Sequence, residues 1–284
     1  MKVNKVLLNA SGYPPVLAQM SGAPKELFVA GELDELLARP RVAIVGSRHV
    51  SAYGRQITTN LAAELAGQGI VIISGLALGV DALAHRAALE AGGLTLAVLP
   101  GPIEQIYPSS HTQLARQIVD GGGVLVSEYP DGTPAFRWNF VARNRIVAGL
   151  SDALLITEAA EKSGTLHTAR FALELGRDVL AVPGNITSPL SAGTNNLIKS
   201  GAMPATSAED VLHALNLKPA AKARRVKGAN DAEQSLIDLL AKDISDGAEL
   251  LEQSKLEVGE FNQTLTMLEI SGKIRSLGAN QWSL

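Results

Sequence analysis

The chain has 284 residues, 46% of them hydrophobic and 4% aromatic, enough to bury one large core beside a small second domain and to exclude disorder throughout. Cysteine is absent, which excludes disulfides and thiolate metal sites and makes the cytosol the expected location. A formal net charge of -3 speaks against a nucleic-acid partner on overall charge, so any anion contact must come from local clusters of cations.

The opening stretch, MKVNKVLLNASGYPPVL, has an apolar run too short for the core of a signal peptide. No later run approaches the roughly 20 apolar residues that span a bilayer, so no membrane role is expected. Up to about residue 40 the pattern is irregular and reads as an extension packing on the core. From 41 to 215, apolar runs bounded by turn residues predict strands at 42–45, 70–73, 94–99, 124–126, 153–156 and 179–182. Helical patterns at 54–66, 80–91, 110–119, 140–150 and 165–175 fall between them. That order predicts an α/β fold, a Rossmann-like doubly wound parallel sheet.

Each predicted strand closes on Gly, Pro or Ser: Gly46-Ser47-Arg48, Ser74-Gly75-Leu76, Pro100-Gly101-Pro102, Ser127-Glu128-Tyr129, the 158–164 segment and Pro183-Gly184-Asn185. In an open parallel sheet these turns gather along the carboxyl edge, where ligands bind. The first turn, VAIVGSRHVSAYG, lacks the G-x-G-x-x-G of a dinucleotide site, and no P-loop pattern occurs, so no cofactor is expected. After Leu217 the sequence KPAAKARRVKGAN reads as a basic linker, 216–230. Helices at 232–240, 246–253 and 258–270, followed by a hairpin at 272–282, give 231–284 the pattern of a winged helix.

Two stretches, 137–145 and 218–227, hold Arg or Lys with no Asp or Glu. Within the first, Arg137, Arg143 and Arg145 flank Asn139 and Phe140, which combines phosphate donors with an aromatic face for base stacking; a core position for Phe140 is the other reading. Two residues apart on a helix, Arg143 and Arg145 point about 200° apart, so one is expected to pair inward with Glu128 or Glu158 while the other faces the crevice. Arg48 follows the first strand and is expected to grip an anion rather than a local carboxylate. Lys162, Ser163, Gly164 and Thr165 enter a helix, whose free N–H groups suit an anion; Ser163 or Thr165 as a plain helix cap is the alternative. Asp81 and His85 stand at i and i+4 with no third ligand spaced beside them, so a structural hydrogen bond is expected and no metal. No nucleophile-base arrangement is legible, and no catalytic residue is assigned.

The segment from about residue 13 to 210 resembles the DNA-processing protein A (DprA/Smf) family. The resemblance is carried by AIVGSR at 43–48, SGLALGVDALAH at 74–85, SEYP at 127–130, RNRIVAGLSDALLITEA at 143–159, KSGTLHTA at 162–169, GRDVLAVPGN at 176–185 and GTNNLIKSGA at 193–202. It implies a non-catalytic Rossmann-like protein that binds single-stranded DNA, protects incoming strands during natural transformation, acts as a homodimer and loads the RecA recombinase. Carried over by position, Arg48 and Arg137 hold phosphates, Phe140 and Asn139 meet bases, Lys162 to Thr165 form a second phosphate cradle, and Gly75, Gly184 and Asn185 line the pocket. The family often has Lys where this chain has Arg137, and many members carry an N-terminal helical domain for which there is too little chain before Tyr13.

The competing enzyme class is the lysine-decarboxylase-like nucleotide phosphoribohydrolases, with a P-G-G-x-G-T-x-x-E loop. Here the loop reads EKSGTLHT, so Thr168 takes the place of the acid/base carboxylate. A sequence-specific regulator would need a basic recognition helix, yet 258–270 holds Glu260 and Glu269 and no Lys or Arg. The C-terminal domain is therefore expected to contact protein rather than a major groove.

Overall fold

A computed structural model describes residues 2–218, 228–242, 244–278 and 280–283. The chain divides into two compact units, Met1–Pro219 and Ala220–Leu284. In the first, the elements in chain order are β1 (Asn4–Leu7), α1 (Pro15–Ala18), β2 (Glu26–Ala30), α2 (Leu33–Leu37), β3 (Arg41–Val45), α3 (Ala52–Gly67), β4 (Val71–Ser74), α4 (Val80–Glu90), β5 (Thr95–Val98), α5 (Thr112–Asp120), β6 (Val124–Ser127), α6 (Arg137–Leu150), β7 (Ala153–Ile156), α7 (Thr165–Glu174), β8 (Asp178–Ala181), α8 (Ala192–Lys199), β9 (Met203–Pro204) and α9 (Ala208–Ala214). The nine strands form one sheet in the order β1-β2-β6-β5-β4-β3-β7-β8-β9. From β6 through to β9 every pairing is parallel. β2 joins β6 antiparallel, and β1 joins β2 antiparallel.

The sheet is covered on both faces: its central strands are apolar except at their ends, where Arg41, Ser74, Thr95 and Ser127 stand, and successive residues face opposite sides. Ala43, Val45, Val71, Ile73, Leu96 and Val98 pack on one face with Ile146, Val147 and Leu150 of α6 and Ala169 and Ala172 of α7. Val42, Ile44, Ile70, Ile72 and Leu155 pack on the other with Leu61 and Leu65 of α3, Ala84 and Ala88 of α4 and Val211 and Leu212 of α9. The first 40 residues belong to this unit: Tyr13, Leu17, Met20, Leu27 and Leu36 are buried in the first of those clusters, and the Tyr13 hydroxyl donates to Pro24 O at 2.7 Å.

The second unit contains α10 (Asp231–Leu240), α11 (Gly247–Ser254), α12 (Val258–Ile270) and the hairpin β10 (Arg275–Gly278) with β11 (Gln281–Ser283). Its core is Leu236, Ile237, Leu240, Leu250, Phe261, Leu265, Leu268 and Ile274, with Trp282 against it. Asn230 caps α10 by accepting from Glu233 N at 2.8 Å, and Asp246 caps α11 by accepting from Ala248 N at 2.9 Å. This is a winged-helix arrangement of three helices and a two-stranded wing. Most of the expected linker, 219–227, lies outside the described residues.

Candidate nucleic-acid interface

The strand order reverses at β3. Successive strands β4, β5 and β6 are added on one side and β7, β8 and β9 on the other, so the loops after β3 and β7 part and leave a crevice at the carboxyl edge. The walls of that crevice are tied together. Ser47 N donates to Glu158 O at 2.8 Å, and the Thr165 hydroxyl donates to Gly46 O at 3.0 Å. The buried Glu158 carboxylate accepts from Ser51 N at 2.9 Å and, through a very short bond, from the Ser51 hydroxyl. Ser51 in turn accepts from Gly54 N at 3.0 Å and caps α3. Beneath the loop, Gly79 has φ +79°, and a Cβ there would sit 2.2 Å from Ser47 O, so only glycine lets the backbone pass.

This scaffold holds Arg48 at the rim. The side chain is exposed, its guanidinium lies 5.2 Å from the centroid of the Phe140 ring, and the Tyr107 ring meets Phe140 edge-on at 5.2 Å. Arg48, Arg137 and Lys162 are all exposed, and none forms an ion pair among the described residues. The first turn of α6 has neither a capping side chain nor an acidic residue. At the start of α7 the Ser163 hydroxyl accepts from Thr165 N at 3.2 Å and donates to Thr165 Oγ1 at 3.0 Å, while Gly164 is exposed with open space around it. Ser163 therefore organises the turn, and Lys162 with Gly164 is what the turn offers to solvent.

Three expected contact residues are placed elsewhere. Asn139 is 2% exposed, with Nδ2 3.5 Å from Pro134 O, so it cannot meet a base without the helix moving. Arg143 is 3% exposed, and one guanidinium nitrogen donates to both Gly75 O and Val98 O. Burial pushes its pKa down to about 10, with Asp81 opposing and Arg48 reinforcing the shift, so it stays cationic as a brace under the ends of β4 and β5. Gly75 is buried against that guanidinium, 2.2 Å from where its Cβ would lie. The glycine makes room for Arg143, not for a ligand.

Arg145, as anticipated for one of the two arginines, turns inward to Glu128 through two bonds of 2.8 and 2.7 Å. Arg143 is inward as well, so neither projects into the crevice.

Gly184 and Asn185 line a shallow cavity of about 440 Å³ with Ser51, Tyr53, Pro183, Ser188 and Ser191. Asn195 clasps Gly184 through both backbone atoms at 3.1 Å. Asp81 is buried and accepts from Gly75 N at 3.0 Å, and burial raises its pKa. The His85 ring bonds Thr95 at 2.6 Å, the structural role its spacing suggested. Among the described residues no group of three or more His, Cys, Asp or Glu is placed to hold a metal, and no helix is long and apolar enough to cross a membrane.

Sequence reading missed Tyr107 and the Glu158–Ser51 clasp. Tyr107 lies in the loop after β5, a carboxyl-edge position that the same topological rule could have flagged.

Comparison with known proteins agrees with this architecture. Residues 4–216 match the family described as DNA recombination-mediator protein A, and residues 218–280 match the DprA winged helix domain. The chain is 46% identical over 203 residues to Protein Smf of Escherichia coli, a match covering 72% of this chain and 54%, about half, of that protein. It is 39% identical over 213 residues to DNA processing protein DprA of Bacillus subtilis, covering 75% and 71%. The crystal structure of DNA processing protein A from Streptococcus pneumoniae superposes with a TM-score of 0.70 at 41% identity, covering 75% of this chain and 74% of that one. The Helicobacter pylori protein, described for its single-stranded DNA binding mode, gives 0.67 at 32% identity, covering 76% and 96%. With the matched span, the doubly wound core and the winged-helix unit in agreement, the chain belongs to the DNA recombination-mediator protein A (DprA/Smf) family.

Proposed function

We propose that this chain is a non-catalytic single-stranded DNA-binding protein whose strand runs along the carboxyl-edge crevice between the loops after β3 and β7. The observation that carries the proposal is Arg48 lying over Phe140 with no ion-pair partner among the described residues. An exposed cation on an aromatic face presents a phosphate donor and a stacking surface at one point, the combination single-strand binders use. Arg137 supplies a second cation and Lys162 a third, beside the Gly164 turn of α7. The cavity at Ser51, Gly184 and Asn185 then offers room for backbone or sugar, while Asn139, Arg143 and Gly75 support the site from beneath. The Helicobacter pylori relative, which binds single-stranded DNA, supports the same reading.

The phosphoribohydrolase reading finds no support at its decisive position. Thr168 is buried and carries no carboxylate, and Glu158, the nearby buried acid, is committed to Ser51. The remainder of the proposal follows the family resemblance: protection of incoming strands, homodimerisation, loading of RecA, and a cytosolic setting. Partner contact by the C-terminal unit is proposed because α12 bears Glu260 and Glu269 and no cation.

Fluorescence anisotropy with a labelled single strand and the matching duplex tests the central point. Preference for the single strand, weakened by Phe140→Ala without loss of fold, supports it; equal affinity for both forms in wild type and variant overturns it.

A further inference from the structure

The start of α6 carries two aromatic side chains beyond those at the crevice. Phe136, at the N-cap, and Trp138 stack with ring centroids 4.5 Å apart and planes 11° from parallel. They are 44% and 66% exposed, so the pair satisfies one face of each ring and leaves the outer faces to water. Their placement around the helix is informative. At about 100° per residue, Phe140 lies about 60° to one side of Arg137 and Trp138 about 100° to the other. The exposed arc of the first turn therefore reads aromatic, cation, aromatic, while Asn139, Arg143 and Ile146 fill the buried arc opposite. From 132 to 145 there is no Asp or Glu.

We infer that Phe136 and Trp138 are a second base-stacking platform, which continues the single-strand track from Phe140 across Arg137. The inference rests on the proposed DNA reading and extends it to residues that neither the crevice nor the resemblance assigns. An acid-free arc with an exposed arginine between two ring surfaces is complementary to a polyanion with open base faces. A duplex, whose base faces are already stacked on each other, has none to offer, so the platform also favours single strands.

Trp138 and Trp282 are the two tryptophans, so the full-length Trp282→Phe variant reports on Trp138 alone. It is titrated with an oligothymidylate, with an abasic strand of equal length and with a duplex, following tryptophan emission and the anisotropy of a labelled strand together. The expected result is quenching by the oligothymidylate in step with anisotropy and no quenching by the abasic strand, even where it binds. In the native background Trp138→Ala is expected to weaken oligothymidylate binding about tenfold and to leave abasic binding unchanged. Saturable binding that neither moves Trp138 emission nor responds to Trp138→Ala overturns the platform and leaves the crevice reading standing. No saturable binding by the wild-type protein overturns both. If Trp282→Phe disturbs the fold of its unit, the affinity of Trp138→Ala decides alone.

Discussion

Two arginines near one crevice have opposite roles, and replacing each separates them. Arg143→Ala removes a guanidinium that is 3% exposed and donates to Gly75 O and Val98 O. Leaving two buried carbonyls without a donor costs about 1–3 kcal/mol each. Asp81, whose carboxylate Arg143 favours through space without an ion pair between them, also loses that cation; leaving a buried charge uncompensated costs up to about 3–5 kcal/mol. These contributions overlap, and the expected loss of stability is about 3–5 kcal/mol. Arg48→Ala removes an exposed side chain that lies over the Phe140 ring and repels the Arg143 guanidinium, a loss of no more than about 1 kcal/mol. The assay is urea unfolding read by hydrogen exchange of peptides from β4 and β5, which reports the first unit without interference from the second. Arg143→Lys keeps a charge that can still donate to the carbonyls but loses the Nε–H bond to Asn144, so it is expected to fall between. Stability of Arg143→Ala within about 1 kcal/mol of wild type, or an equal loss for Arg48→Ala, refutes the assignment of one as brace and the other as contact.

Glu158→Gln weakens the bonds to Ser51 and should lower both stability, by about 1–2 kcal/mol, and affinity for single strands. A gain in affinity, as plain removal of a negative charge predicts, counts against the positioning role. The Thr95 hydroxyl donates to Ile72 O, so His85 must donate Nδ1–H to Thr95, leaving Nε2 buried without a partner among the described residues. Burial, reinforced by Arg143 and His111, pushes the His85 pKa down from 6.5 to about 3. A depressed pKa makes its contribution present above about 6.5 and lost as pH falls, at up to about 1.4 kcal/mol per unit. Asp81, whose pKa is raised by burial, takes up its proton in the folded state first and so opposes this above its ordinary carboxylate range; the stability curve should fall below pH about 6.5 and be less steep where Asp81 protonates. His85→Gln should abolish the first phase in urea titrations across pH. For Lys162→Ala, affinity should fall for all sequences alike and the salt slope by about 0.7; an unchanged slope removes Lys162 from the phosphate contacts.

The central strands were legible because both faces are covered, which leaves unbroken apolar runs between turns; 42–45 and 153–156 differ from β3 and β7 by no more than one residue. β1 and β2 were not. Three of the four residues of β1 are exposed, and β2 is held by an antiparallel partner distant in sequence. β9, two residues long, has no pattern to read. α6 begins at Arg137 rather than 140 because its N-cap is Phe136, which offers no capping signal. α9 was missed although Ser207 and Asp210 form a capping box.

Strand-end turns drew the candidate site to the carboxyl edge, and Arg48 and Phe140 meet there. The burial of Asn139 and Arg143 was hidden by residue type. Their positions continue through Ile146, Val147 and Leu150 at helical spacing, a buried stripe that polar residues at its first two places disguise.

The most direct test of the account is the salt dependence of single-strand binding by wild type and by the Arg48→Ala/Arg137→Ala variant. The account predicts tight, salt-sensitive binding by the wild type and, in the variant, a large loss of affinity with the salt slope reduced by about 1.4, or about 0.7 per lost phosphate contact on a single strand. Binding that is absent, or that keeps its strength and slope without both arginines, contradicts it.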